Sequence, residues 1–265
     1  MSSSKHISSR HNDSGPCLPE GRIVIWGIQP VQELLRSRPD KILDVYTLPS
    51  FGKTRPQKHL LESVSGRGIP LNVVNGFNRI GVPNGAVHQG ISCIIEEFWW
   101  KDLNGFLGGL SDSALLIVCD NITDPHNLGA VIRSAHGLGA DGVLFPGRSS
   151  APVTGTVVKA SAGALFHLPL IQVRNLVQSL ELLKRKSFWV MGLTPEARDN
   201  IWDIDLKGKI ALVVGAEGKG IRKLVKRTCD LTLKIPLAGR IGSLNVSVAA
   251  AIALYEVLRQ QKKGV

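Results

Sequence analysis

The sequence has four cysteines, and they stand far apart at Cys17, Cys93, Cys119 and Cys229. With no Cys-x-x-Cys pair they offer neither a common structural zinc pattern nor a disulfide framework, which points to a reducing, cytoplasmic setting. Long apolar runs are missing too. The longest nearly apolar stretch, Val246–Tyr255, is ten residues with a serine inside it, against roughly 20 needed to cross a bilayer. The N-terminus has no continuous apolar core, so a secretory signal is excluded. The seven histidines show no His-x-x-x-His spacing and do not cluster with cysteine, so no metal site is expected. No Gly-x-Ser-x-Gly is present, and neither is a Walker A loop, a Gly-x-Gly-x-x-Gly or a repeat of fixed period.

What is present is an ordinary globular composition, 43% hydrophobic and 20% charged over 265 residues. That length suits one large domain or two smaller ones with a sizeable core. Charge is the outlying feature. Thirty-two basic against 21 acidic residues give +11, and a soluble chain this basic often binds a polyanion. Residues 1–20 are balanced, residues 21–100 carry +3, and residues 101–265 carry +8.

Residues 1–20 are Ser-rich, hold two prolines and lack any hydrophobic period, which predicts a disordered tail. Residues 21–98 alternate strand and helix patterns. Strands are expected at Ile23–Trp26, Ile42–Leu48, Leu71–Val74 and Ile91–Glu97, with helices around Val31–Leu35 and over Lys58–Ser65. Three glycines in residues 99–113 mark a linker. From 114 to 265 the alternation resumes with longer elements, ending in a mostly apolar helix over Leu244–Leu258. Repeated strand–helix units imply a largely parallel sheet covered on both faces.

Ligands of open α/β sheets sit in loops at the carboxyl ends of strands, and three such loops are unusually polar. The first is Asp120-Asn121-Ile122-Thr123-Asp124-Pro125-His126-Asn127, leading into a helix that bears Arg133. Asp124 suits a helix cap and Pro125 the first helical position, but Asn127 and Arg133 need another reason. The second is Gly215-Ala216-Glu217-Gly218-Lys219-Gly220 after an apolar strand. Its glycines allow close backbone approach, while Glu217 disfavours an anion and favours a cationic or neutral ligand. Lys219, Arg222, Lys223 and Lys226 follow at i, i+3, i+4 and i+7, predicting a basic helix face, either solvated or set against phosphates. The third runs from Ile235-Pro236-Leu237 through Ser243-Leu244-Asn245-Val246-Ser247, with Ser243 as a fair N-cap. Asn245 and Ser247 are costly in an apolar helix unless partnered or aimed at a site.

Taken together, Asp-Asn-Ile-Thr-Asp-Pro-His-Asn-Leu-Gly-Ala-x-x-Arg, Gly-Ala-Glu-Gly-Lys-Gly and Ile-Pro-Leu…Ser-Leu-Asn-Val-Ser-Val-Ala resemble the three motifs of the SpoU (TrmH) family of RNA 2′-O-ribose methyltransferases, in family order. Residues 22–97, with His88-Gln89-Gly90-Ile91, resemble the small ribosomal-protein-like substrate-binding domain of many members. The resemblance is nearest to the branch that methylates a guanosine of large-subunit (23S) ribosomal RNA. It implies a SPOUT-type parallel sheet with a trefoil knot, a homodimer, and S-adenosylmethionine as the only cofactor, with no metal. By motif position it implies that Leu193, Gly215, Ile235, Leu237 and Leu244 enclose the cofactor. Asn127, Arg133, Glu217, Ser243 and Asn245 would form the catalytic centre. Lys219, Arg222, Lys223 and Lys226 would hold RNA. Rival readings are a transfer-RNA methylase, disfavoured by the N-terminal extension, an adenosine-specific resistance methylase, and a non-catalytic RNA-binding assembly protein.

Overall fold

The computed structural model describes residues 21–262; the tail expected at 1–20 lies outside them. Strands β1 (Ile23–Trp26), β2 (Ile42–Thr47), β3 (Leu71–Val73) and β4 (Ile91–Ile95) form one mixed sheet with helices α1 (Ile28–Ser37) and α2 (Arg55–Ser65). Its order is β1-β4-β2-β3, with β4 antiparallel to both neighbours and β3 parallel to β2. Val31, Leu34 and Leu35 of α1, and Leu60 and Val64 of α2, supply the buried stripe. Helix α2 starts three residues before the expected Lys58, because Gln57 Oε1 accepts from the Thr54 amide at 3.3 Å and closes the first turn.

The segment expected as a linker is not bare. Helix α3 (Leu103–Gly108) lies in it, and the Asp102 carboxylate caps it by accepting from the Gly105 amide at 2.9 Å. Leu107 is buried and Lys101 donates its amide to the Leu170 carbonyl at 3.0 Å. The glycines suggested a loop, while the Asp102 cap and the Leu103, Phe106, Leu107 spacing were the stronger signal.

The remaining elements are β5 (Leu115–Asp120), α4 (Pro125–Gly137), β6 (Gly142–Pro146), α5 (Gly155–Ala160), β7 (Leu170–Val173), α6 (Leu176–Arg185), β8 (Trp189–Leu193), β9 (Asp199–Asn200), β10 (Ile210–Gly215), α7 (Lys223–Thr228), β11 (Leu231–Lys234) and α8 (Val246–Lys262). The seven strands pair in parallel throughout, in the order β7-β6-β5-β10-β8-β11-β9. Every residue of β5 is buried, as expected for a strand covered on both faces. Leu115, Ile117 and Cys119 share a core with Leu128 and Ile132 of α4 and Leu254 and Val257 of α8. Leu116 and Val118 face the other way, onto Leu176, Leu180 and Leu183 of α6 and Val225 of α7. No helix among the described residues is long and apolar enough to cross a membrane.

The two sheets share apolar packing. Ile25, Val31 and Leu34 of the first unit belong to one core cluster with Val157 and Phe166 of the second. Trp99 stacks on Phe166 with ring centroids 5.8 Å apart, and the Arg38 guanidinium sits 4.8 Å over Trp99.

Helices α4 and α5 approach so closely that a methyl on Gly129 would meet the Ala160 Cβ at 2.5 Å and the Val157 carbonyl at 2.9 Å. Gly129→Ala should therefore cost about 1–3 kcal/mol by overpacking, read as a lowered urea midpoint. A midpoint at or above wild type would contradict this packing.

Candidate functional site

Strands β5 and β10 are neighbours and end level, with Gly215 opposite Asp120. Their loops therefore leave the sheet side by side. After β5 the chain turns through Asn121, whose φ of 59° is left-handed. Its Oδ1 accepts from the Ser149 hydroxyl at 2.7 Å, tying this loop to the one after β6. Asp124 then caps α4, accepting from the His126 amide at 3.0 Å, and Pro125 opens the helix, both as expected.

After β10 the chain folds back on itself. The Gly220 amide donates to the Ala216 carbonyl at 2.8 Å, and Gly218 and Gly220 take left-handed φ values of 74° and 63°. A methyl on Gly215 would fall 2.1 Å from the Gly220 carbonyl carbon and 2.3 Å from the Ile221 amide nitrogen. Only glycine admits this return.

The basic helix expected over 219–226 does not form as read. Helix α7 begins at Lys223, Lys219 lies in the glycine turn, and Arg222 stands at the N-cap position. Arg222 is committed elsewhere. Its Nε and Nη2 donate to Asp120 Oδ1 at 2.8 and 2.7 Å, and its amide donates to Oδ2 at 2.8 Å. Asp120 is fully buried, so the pair bolts the glycine loop to the end of β5. Asp120 was expected only as the first residue of a polar loop, with no role of its own, although a carboxylate closing the apolar run Leu-Leu-Ile-Val-Cys was the available signal.

The third loop carries a second correction. Helix α8 starts at Val246, and Asn245 rather than Ser243 caps it. Asn245 Oδ1 accepts from the Ser247 amide at 2.9 Å and from the Ser247 hydroxyl at 2.6 Å. The same side chain donates through Nδ2 to Asn127 Oδ1 at 2.9 Å, and Asn127 Nδ2 donates to Glu217 Oε2 at 3.1 Å. One hydrogen-bonded line, Ser247–Asn245–Asn127–Glu217, thus joins three segments spread over more than a hundred residues. Arg133 stands apart from it, exposed on α4 with no hydrogen bond or ion pair to a described residue.

Glu217 lines a cavity of about 760 Å³ that also takes in Leu193, Gly215, Ile235, Leu237, Ser243 and Leu244. All five residues implied as cofactor contacts share this wall. Lys219, Lys223, Lys226 and Lys234 line it as well, and Lys234 was not anticipated. Lys226 reaches Glu196 at 3.5 Å. The Thr194 hydroxyl bonded to Glu196, assisted by the charge of Lys226, holds that carboxyl below its ordinary range. Burial pushes the Cys119 and Cys229 thiols up to about 12, which removes them as thiolate nucleophiles near neutral pH.

The profile of RNA 2′-O ribose methyltransferase substrate-binding domains matches residues 24–98, and that of the SpoU rRNA methylases matches residues 114–255. The chain belongs to the SpoU rRNA methylase family. Within that family it is 37% identical over 243 residues to the 23S rRNA (guanosine-2′-O-)-methyltransferase RlmB of Escherichia coli K12, covering 90% of this chain and 98% of that one. The protein of the same name from Photorhabdus laumondii is 38% identical over the same span. The solved SpoU methyltransferase AviRb of Streptomyces viridochromogenes shares the fold, with a TM-score of 0.78 at 24% identity over 92% of this chain and 91% of its own.

The clamp has a lopsided energetics. Removing Arg222 strands a buried carboxylate, at a cost of about 3–5 kcal/mol, whereas removing Asp120 leaves an arginine that is 48% exposed and can turn to water. Arg222→Gln should therefore lower stability in urea more than Asp120→Asn does. The opposite order would mean the pair is not the bolt described.

Proposed function

We propose that this chain transfers a methyl group from S-adenosylmethionine to the ribose 2′-oxygen of a guanosine in 23S ribosomal RNA. The observation that carries the reading is the Asn245–Asn127–Glu217 line at the edge of the cavity. The fit to the cofactor is good. The cavity lies within the roughly 300–1,000 Å³ of small-ligand sites, its inner wall is apolar, and a close-packed glycine return presents backbone to the ligand. Bound there, S-adenosylmethionine supplies a methyl group already activated on a sulfonium.

The chain's own residues then bind and orient. Leu193, Ile235, Leu237 and Leu244 keep water from the reacting centre, and Gly215 lets the backbone approach. Glu217, fixed by Asn127, sets a negative charge where a cationic ligand is received, and Ser243 adds a hydroxyl to the same wall. Holding a 2′-hydroxyl in line with the methyl is a large part of the rate gain. Arg133 is a poor base, since a guanidinium does not give up its proton in a protein; its role here is to clamp the phosphate beside the reacting ribose. Lys219, Lys223, Lys226 and Lys234 give the cavity mouth a positive rim for phosphates, which position RNA without reading its sequence. Arg222 leaves that set, because its fork is occupied by Asp120. Residues 21–98 serve as the RNA-binding unit of the enzyme.

The same reading includes the trefoil knot and the dimer. Helix α8 packs on α4, its Leu254 and Val257 sharing a core with Leu128 and Ile132. Val248, Ile252 and Tyr255 lie at i, i+4 and i+7 on α8 and are 47%, 39% and 58% exposed, while the opposite side of the helix is buried. A second copy of this chain, meeting the stripe with its own, would cover it.

Two measurements check these points. Arg133→Ala should abolish methyl transfer to 23S ribosomal RNA while cofactor affinity and melting stay at wild type, because the side chain has no hydrogen-bond or ion-pair partner among the described residues to lose. Transfer above a tenth of wild type would remove Arg133 from the mechanism. Tyr255→Asp should convert the dimer to a monomer in sedimentation; an unchanged dimer would move the interface off α8.

A further inference from the structure

The turn at His88-Gln89-Gly90 belongs to neither the cavity nor the hydrogen-bonded line, yet among residues 21–98 it holds the one non-glycine residue with a left-handed φ. Gln89 has a left-handed φ of 55° and Gly90 follows at 82°. A non-glycine residue in that region persists only where its surroundings impose it. Here they do. The His88 Nδ1 accepts from the Gly90 amide at 3.1 Å, and the His88 ring packs edge-on against Phe77 at 4.7 Å.

The imposed conformation sends the Gln89 side chain to the junction of the two units. Its Oε1 accepts from the Ile28 amide at 3.1 Å, in the first turn of α1, and from Lys159 Nζ at 3.1 Å, on α5. Backbone is packed close on both sides. A methyl on Gly27 would fall 2.4 Å from Lys159 Nζ, and one on Gly155 would fall 2.1 Å from the Trp26 ring and 2.2 Å from the Val24 carbonyl. Lys159 forms no ion pair with a described carboxylate, and burial lowers its pKa. A cation at the positive end of α1 opposes that helix's dipole. Such a contact is a poor device for stability and a good one for fixing an angle.

We propose that Gln89, held by one hydrogen bond from each unit, is a positioning residue that sets the angle between the substrate-binding unit and the methylase unit, and so selects which nucleotide of a bound RNA reaches the cavity. This rests on the ribosomal-RNA methylase reading above. The unit formed by residues 21–98 grips RNA at a distance from the methyl donor, so a small rotation at the junction moves a different ribose into line.

The test uses the full chain, S-adenosylmethionine and 23S ribosomal RNA, with 2′-O-methyl positions mapped nucleotide by nucleotide. Q89A and K159M should lose about tenfold or more in kcat/KM at the wild-type nucleotide and gain methylation at flanking ones, with cofactor affinity unchanged. Q89E keeps an oxygen acceptor for both donors and should restore the wild-type pattern. K159R, which still donates but through a longer fork, should displace the pattern without unfolding the chain. A wild-type pattern in Q89A and K159R, or a loss of rate with no change of position, overturns the proposal. Small-angle scattering separates it from the reading it rests on. If the wild type methylates nothing in ribosomal RNA, a broader spread of inter-unit angles in Q89A than in wild type still upholds the positioning role, and equal spreads refute it.

Discussion

A buried carboxylate needs a partner or it does not stay charged, and the loops at the carboxyl edge of the larger sheet are arranged around one. Asp120 closes a strand buried along its whole length and accepts three hydrogen bonds from Arg222, two from the guanidinium and one from the amide. Because Arg222 lies just beyond the glycine loop, those bonds fix where the loop ends. Gly215, opposite Asp120 in the sheet, fixes where it begins. Between two fixed points the six-residue return has little freedom, so Glu217 is delivered to one place. Asn127 can then meet it at hydrogen-bond distance, and Asn245 reaches Asn127 in turn, without long, flexible side chains.

The polar line itself lies at the surface, its members exposed or half-buried. Each amide in it is used at both ends: Asn245 caps α8 and donates onward, while Asn127 accepts from Asn245 and donates to Glu217. Through these bonds the line links the first turn of α4 to the start of α8 and to the glycine loop.

Much of this was legible in the residues. The buried parallel strands were readable because runs such as Ile210–Val214 have no other stable use, and Asp124-Pro125 marked the start of α4 through cap chemistry. The polar residues of the three loops were readable as site candidates, since asparagine and serine in apolar helices demand an explanation. What the residues could not give was pairing across sequence distance. Periodicity put Arg222 on a helical face with three lysines, yet the helix begins only at Lys223, because Arg222 must reach back 102 positions to Asp120. Glycine content made residues 99–113 look like a linker, while the local cap at Asp102 won. Nothing local could reveal that Gln89 spans the two units.

The two kinds of positive charge in the second unit therefore do different work. Arg222 is consumed by structure, its planar fork matched to a carboxylate as arginine forks are. The lysines at the cavity rim are not matched in this way. Lys226 has only a long contact to Glu196, and Lys219, Lys223 and Lys234 make no ion pair to a described carboxylate. Four lysines against two glutamates leave the rim with a surplus of positive charge. The surplus is the right sign for an anion held beside it. The proposed site therefore asks two ligands of opposite character to share one edge, a sulfonium in the cavity and a phosphate backbone at its lysine rim, and Glu217 lines the cavity among those lysines.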